Sequence, residues 1–173
     1  MAKSTARVGA AGQFHTAAQL AERGWDASLT IGNTPRTDII AQHFEHQTLI
    51  AVQCKAKTGA YFRLGKGSEF VSPPGNNEWF VLIALNAPTQ RPDFFIVPRN
   101  VAAAYIYVAH VVWMNSASKS GEPRKENDER DIEPPAVKYY RERWDLLERP
   151  SDEVPYWASG LGVRVGAADW PTA

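Results

Sequence analysis

Residues 38 to 57 read DIIAQHFEHQTLIAVQCKAK. Two apolar runs, 37–44 and 48–57, are joined by the short polar link Glu45-His46-Gln47, a pattern that predicts an antiparallel hairpin. Side chains alternate across a strand, so Gln53 and Lys55 share one side of the second run while Cys54 faces the other. Asp38 opens the first run, directly after Arg36-Thr37. Pairing of the two runs brings Asp38 near Gln53 and Lys55, gathering a carboxylate, an amide oxygen and an ammonium about one point.

Upstream, residues 10–23 predict an amphipathic helix with Phe14, Ala17, Ala18, Leu20 and Ala21 on its apolar stripe and Gly24 as the stop. Trp25, Ala27, Leu29 and Ile31 then alternate with polar residues, as in a short strand closed by Gly32-Asn33. Downstream, the Gly- and Pro-containing stretch 58–77 reads as an exposed loop. EWFVLIALN (78–86) is a continuous apolar strand buried on both faces, and DFFIVP (93–98) is a second short strand. Residues 99–113 have helical spacing at their start. The run 116–135 is polar and mixed in charge, and reads as a solvated, flexible loop. Val137, Tyr140, Trp144 and Leu147 return at helical spacing, and Trp157 and Trp170 imply that part of the tail packs back. This order suits an α/β fold, a mixed sheet flanked by helices.

A chain of 173 residues, 44% apolar and 22% charged, predicts one globular domain. The single cysteine, Cys54, excludes a disulfide framework and a cysteine-based zinc cluster. No run is long and apolar enough for a membrane span, and the first residues lack the apolar core of a secretion signal, so the expectation is a soluble, cytoplasmic protein with no membrane partner. The net charge is zero, but residues 1–66 hold eight Lys or Arg against four Asp or Glu, and residues 67–173 hold eleven against fifteen. A basic half of this kind attracts phosphate locally.

The grouping of Asp38, Gln53 and Lys55 suits phosphodiester hydrolysis. A carboxylate holds Mg²⁺ or Mn²⁺ against a phosphate oxygen, and an ammonium orients or deprotonates the attacking water and offsets transition-state charge. The backbone carbonyl of Cys54, between the two functional side chains, is a natural further oxygen ligand, so the metal candidates are Asp38, Gln53 and that carbonyl. Arg36, Lys57, Arg63 and Lys66, with Tyr61 and Phe62 interleaved, are candidates for gripping nucleic acid. The other reading of that stretch is a solvated loop whose aromatics cover the core.

The helix with Gly12-Gln13, then Gly24-Trp25, Asp38 and Gln53-Cys54-Lys55 resembles the PD-(D/E)XK nuclease superfamily, in the variant with glutamine as second acid found in Mrr-type restriction endonucleases. The resemblance covers about residues 8–109. It implies a restriction-endonuclease-like α-β-β-β-α-β core, a metal-dependent deoxyribonuclease, and pairing of two subunits in a homodimer. It also implies that Gln13 stands where the first helix of these nucleases often carries glutamate, and supports the site from there. On this reading 1–115 form the nuclease-like core, 116–136 a charged flexible loop, and 137–173 a C-terminal helix and Trp-containing tail packed on the core. With Gln13 and Gln53 both amides, Asp38 is the motif's one carboxylate. Two other classes therefore stay open, an inactive nucleic-acid-binding module of the same fold and a partner-binding protein. Duplex, single-stranded and branched DNA and RNA all stay open as substrate.

The remaining chemical signals are set aside. His43 and His46, three apart, fall on opposite faces of a strand, and no His-Glu-x-x-His helix exists. Gly65-Lys66-Gly67 lacks the spacing of a phosphate loop, and Cys54 reads as a small buried thiol.

Overall fold

A computed structural model describes residues 4–32, 34–87 and 89–154. The elements are α1 (Thr5–Ala21), β1 (Trp25–Leu29), β2 (Ile39–His43), β3 (Leu49–Lys57), β4 (Phe62–Arg63), β5 (Glu78–Ala84), β6 (Asp93–Pro98), α2 (Arg99–Met114) and β7 (Asp131–Ile132). Five strands form one sheet in the order β1-β2-β3-β5-β6, and β4 pairs with β7 beside it. The expected fold class is the one observed, a mixed α/β sheet flanked by helices.

The predicted hairpin is β2–β3, antiparallel with Ile39 opposite Val52 and Gln42 opposite Leu49. β3 then runs parallel to β5, and β6 returns antiparallel to β5. Parallel neighbours need a long crossover. Here residues 58–77 supply it, with only a short 3-10 helix at Lys66–Glu69, and the second α-helix follows β6 instead. Gly59, Gly65, Gly67, Pro73, Pro74 and Gly75 give that crossover little helix propensity.

Residues on β5 from Trp79 to Ile83 are all buried, as a strand covered on both faces requires. Cys54, Ala56, Val81 and Ile83 lie on the face met by α1, while Gln53, Lys55, Phe80 and Leu82 lie on the opposite face, toward Arg99 at the start of α2.

Helix α1 starts earlier than its apolar pattern predicts and turns a different face inward. Gly12, Thr16 and Leu20 are its buried residues, whereas Phe14 is 64% exposed. The small residues Gly12 and Thr16, at i and i+4, let the helix lie close on β3. A Cβ at Gly12 would stand 2.6 Å from Ala56 Cβ, so only glycine fits the crossing point. Phe14, two residues on, is rotated about 200° away.

The segment expected as a flexible charged loop is tied down at its end. Arg130 is 3% exposed and pairs with buried Glu69, Ile132 is buried, and β7 pairs with β4. The predicted C-terminal helix is replaced by 3-10 helices at Pro134–Tyr140, Trp144–Glu148 and Ser151–Glu153. Val137, Tyr140, Trp144 and Leu147 are buried as the spacing requires. Helical continuity breaks at Glu142, which has φ of 56° and bonds the edge of β6: its N–H donates to Phe94 O at 2.8 Å and its carboxylate accepts from Phe94 N–H at 3.2 Å. Trp157 and Trp170 lie outside the described residues.

Candidate active site at the start of the second strand

Strand β2 begins opposite the middle of β3. The Asp38 N–H donates to Val52 O at 2.8 Å, and the Cys54 N–H donates to Asp38 Oδ2 at 2.7 Å. Main-chain groups of Ala51 and Lys57 bond the other way, to Asn77 and Leu85 on the β5 side. Alternation along the strand therefore aims the Cys54 carbonyl at the β2 side, just beyond the first residue of β2 and next to Asp38.

Gln13 reaches the same carboxylate from α1, its Nε2 donating to Asp38 Oδ1 at 3.0 Å. This contact depends on the close crossing at Gly12. The two donors fix both carboxylate oxygens in place while leaving each with further acceptor capacity. Of the sequence-predicted group, Asp38, Gln13 and Cys54 are thus brought together.

Lys55 projects from β3 on the face opposite α1 and makes no hydrogen bond or ion pair among the described residues. Burial holds its amine below the usual lysine range; the Asp38 carboxylate opposes that shift, and the Arg99 charge adds to it. The thiol of Cys54 is pushed up to about 12 by burial, which keeps it protonated and removes it as a nucleophile.

Gln53, on the same strand, is engaged by Arg99. Its Oε1 accepts from Arg99 Nη2 at 3.1 Å and Nη1 at 3.4 Å. The Arg99 guanidinium lies over the Phe80 ring, 4.7 Å from its centroid, and its Nε donates to Glu78 Oε2 at 2.6 Å. Glu78 also accepts from Arg36 Nη2 at 2.9 Å. Burial raises the Glu78 carboxyl, but hydrogen bonds from Arg36 and Arg99, with their charges, hold it below the usual range. Sequence reasoning missed Glu78 and Arg99. The available signal was an acid opening an otherwise apolar strand and an arginine directly following one.

The four basic candidates are all engaged within the chain. Arg36, at φ of 68°, also donates to Val71 O at 3.0 Å. Lys57 Nζ donates to Gly59 O at 2.7 Å and lies over the Phe62 ring. Arg63 forks onto Asp131 and pairs with Glu129 at 2.9 Å, and Lys66 pairs with Glu126 at 3.3 Å. His43 and His46 stack at 4.6 Å, not on opposite faces, because residues 44–46 form a turn and the strand has already ended.

Among the described residues, no three His, Cys, Asp or Glu side chains cluster as metal ligands. The donor set at the start of β2 is one carboxylate and one main-chain carbonyl. Both are oxygen, and a set this small fits Mg²⁺ or Mn²⁺, which keep several waters and accept substrate phosphate oxygens. No described helix is long and apolar enough to cross a membrane.

No known family matches the chain by its sequence profile, and no curated protein matches it. Among solved structures, it is similar to Hjc of Archaeoglobus fulgidus, a Holliday junction resolvase from an archaeal hyperthermophile. Identity is 16% and the TM-score 0.47, over 82% of this chain and 96% of that one.

Proposed function

We propose that the chain is a metal-dependent endonuclease that hydrolyses phosphodiester bonds in DNA. The observation that carries this reading is Asp38, held by Gln13 and by the Cys54 N–H beside an open strand edge, with the unpaired Lys55 ammonium on the same strand. Asp38 and the Cys54 carbonyl would hold Mg²⁺ or Mn²⁺. A divalent cation there supplies charge and Lewis acidity toward a phosphate oxygen. Lys55, already lowered by burial, orients the attacking water, takes up its proton when neutral, and offsets charge on the phosphate when protonated. Gln13 is a positioning residue, since it acts through Asp38.

Cutting both strands calls for two such sites, so a homodimer belongs to the reading, as does action in the compartment where DNA lies. A second reading, a nuclease-shaped module that binds nucleic acid without cutting it, is favoured by the single carboxylate between two amides, Gln13 and Gln53.

The test is cleavage of plasmid, single-stranded and branched DNA with Mg²⁺ or Mn²⁺, beside Asp38→Ala and Lys55→Ala. We expect metal-dependent cutting that falls by about 10³-fold in either variant. Cutting that survives both substitutions overturns the assignment of the site. A folded wild type that binds DNA and cuts none of these substrates with either metal establishes the second reading.

A further inference from the structure

The amide of Gln53 has a fixed sense. A guanidinium carries donors and no acceptor, so the end of the amide that faces Arg99 is its oxygen. The NH₂ end then points away from Arg99. Gln53 Nε2 has no acceptor among the described residues and is not among their fully buried polar atoms left without one, so Nε2 reaches solvent. The same holds for Lys55 Nζ. Both stand on one face of β3, two residues apart, or about 7 Å between their backbones.

The amide is not free to turn over. Arg99 is held by Glu78 through Nε and by the Phe80 ring beneath it, and its side chain is 2% exposed. Rotating Gln53 would set its NH₂ against the guanidinium, donor against donor, and leave buried N–H groups of Arg99 without acceptors. Glu78 is in turn clamped by Arg36. The chain Arg36–Glu78–Arg99–Gln53 therefore transmits one orientation to the residue beside Lys55.

We propose that Gln53 is a hydrogen-bond donor to a non-bridging oxygen of the substrate phosphodiester, not a metal ligand, and that Arg99 is the positioning residue that sets this polarity. The inference rests on the nuclease reading and names the task of one residue within it. Gln53 Nε2 and Lys55 Nζ together form a donor pair suited to an anionic oxygen, while Asp38 and the Cys54 carbonyl supply the oxygens that suit a cation. The face of the strand and its open edge thus take opposite charges.

Two titrations without turnover test this: Mn²⁺ binding by calorimetry on the free protein, and binding of a fluorescent DNA duplex in EDTA. Gln53→Ala and the near-isosteric Gln53→Glu are compared with Asp38→Ala. A metal-ligand role predicts that Gln53→Glu strengthens Mn²⁺ binding by about tenfold, a carboxylate replacing an amide in the shell. The donor role predicts Mn²⁺ affinity within about twofold of wild type for both Gln53 variants. It also predicts DNA affinity reduced about three- to tenfold in both, since each removes the NH₂ donor. Arg99→Lys keeps the charge, loses the fork, and should weaken DNA binding no further when combined with Gln53→Ala. Tighter Mn²⁺ binding by Gln53→Glu, or loss of Mn²⁺ by Gln53→Ala to the degree seen in Asp38→Ala, overturns the inference and leaves the nuclease reading standing. A wild type that binds neither Mn²⁺ nor DNA overturns both.

Discussion

Two buried arginines organise this molecule, and they do so with opposite results. Around Arg99 a second arginine, Arg36, converges on the same carboxylate, Glu78, and Lys55 stands nearby without an ion pair. Around Arg130 each basic group meets an acid: Glu69 and Glu126 share one guanidinium, and Lys66 and His110 attach to Glu126. The first cluster keeps unpaired donors that face solvent, and the second closes on itself. A buried ion pair is by itself weak support for either stability or function. What separates the two is the polar atoms left over once the pairs have formed.

The sharpest way to break the contrast is Arg130→Ala. It removes the buried guanidinium that pairs with Glu69 and Glu126 and is expected to cost about 3–5 kcal/mol, read as a lower midpoint in urea unfolding. Cleavage per folded molecule should stay unchanged, because no residue of the Asp38 site touches Arg130. A large loss of activity at full folding would join two regions that the structure keeps apart.

Gly12→Ala probes the other side with a smaller effect. The new methyl collides with Ala56 Cβ, so α1 must shift outward at a cost of about 1–3 kcal/mol. Because Gln13 rides on the same turn, the variant should lose activity beyond what its lower melting temperature explains. Equal activity at full folding would show that Gln13 need not hold Asp38.

The smallest effect concerns acid. Hydrogen bonds from His110 first, then Arg130 and Lys66, outweigh partial desolvation and hold Glu126 down to about 2. A depressed carboxylate stabilises the folded state above its ordinary value of 4.5, and that contribution fades as pH falls toward 2. Hydrogen exchange at residues 126–132 should accelerate between pH 4.5 and 2, and replacing Glu126 with Gln should flatten the dependence.

The hairpin from Asp38 to Lys57 was legible because β pairing is local there, with only a short turn between its strands, and because alternation assigns Gln53, Cys54 and Lys55 to faces without further information. The buried β5 strand was legible from its unbroken apolar run. The face of α1 was not, since hydrophobicity ranks Phe14 above Gly12, and only the closeness of β3 makes smallness the deciding property. The helix expected after residue 137 failed for a similar reason: its apolar spacing is also met by 3-10 helices, and the positive φ at Glu142 answers a need of β6 that lies far away in sequence. Arg99 escaped notice because its partners Glu78 and Gln53 are 21 and 46 residues away. Arg63 and Lys66 looked available because the acids that occupy them, Glu126, Glu129 and Asp131, come some 60 residues later.

Residues 141 and 142 seal the outer margin of β6, by the bridge from Phe95 to Arg141 and the two bonds between Phe94 and Glu142. β1 is the sheet's other terminal strand. A ribbon stoppered at one end behaves as a chain terminator: copies that met margin to margin through β1 would stop at a pair, whereas a sheet open at both ends could propagate into a fibre.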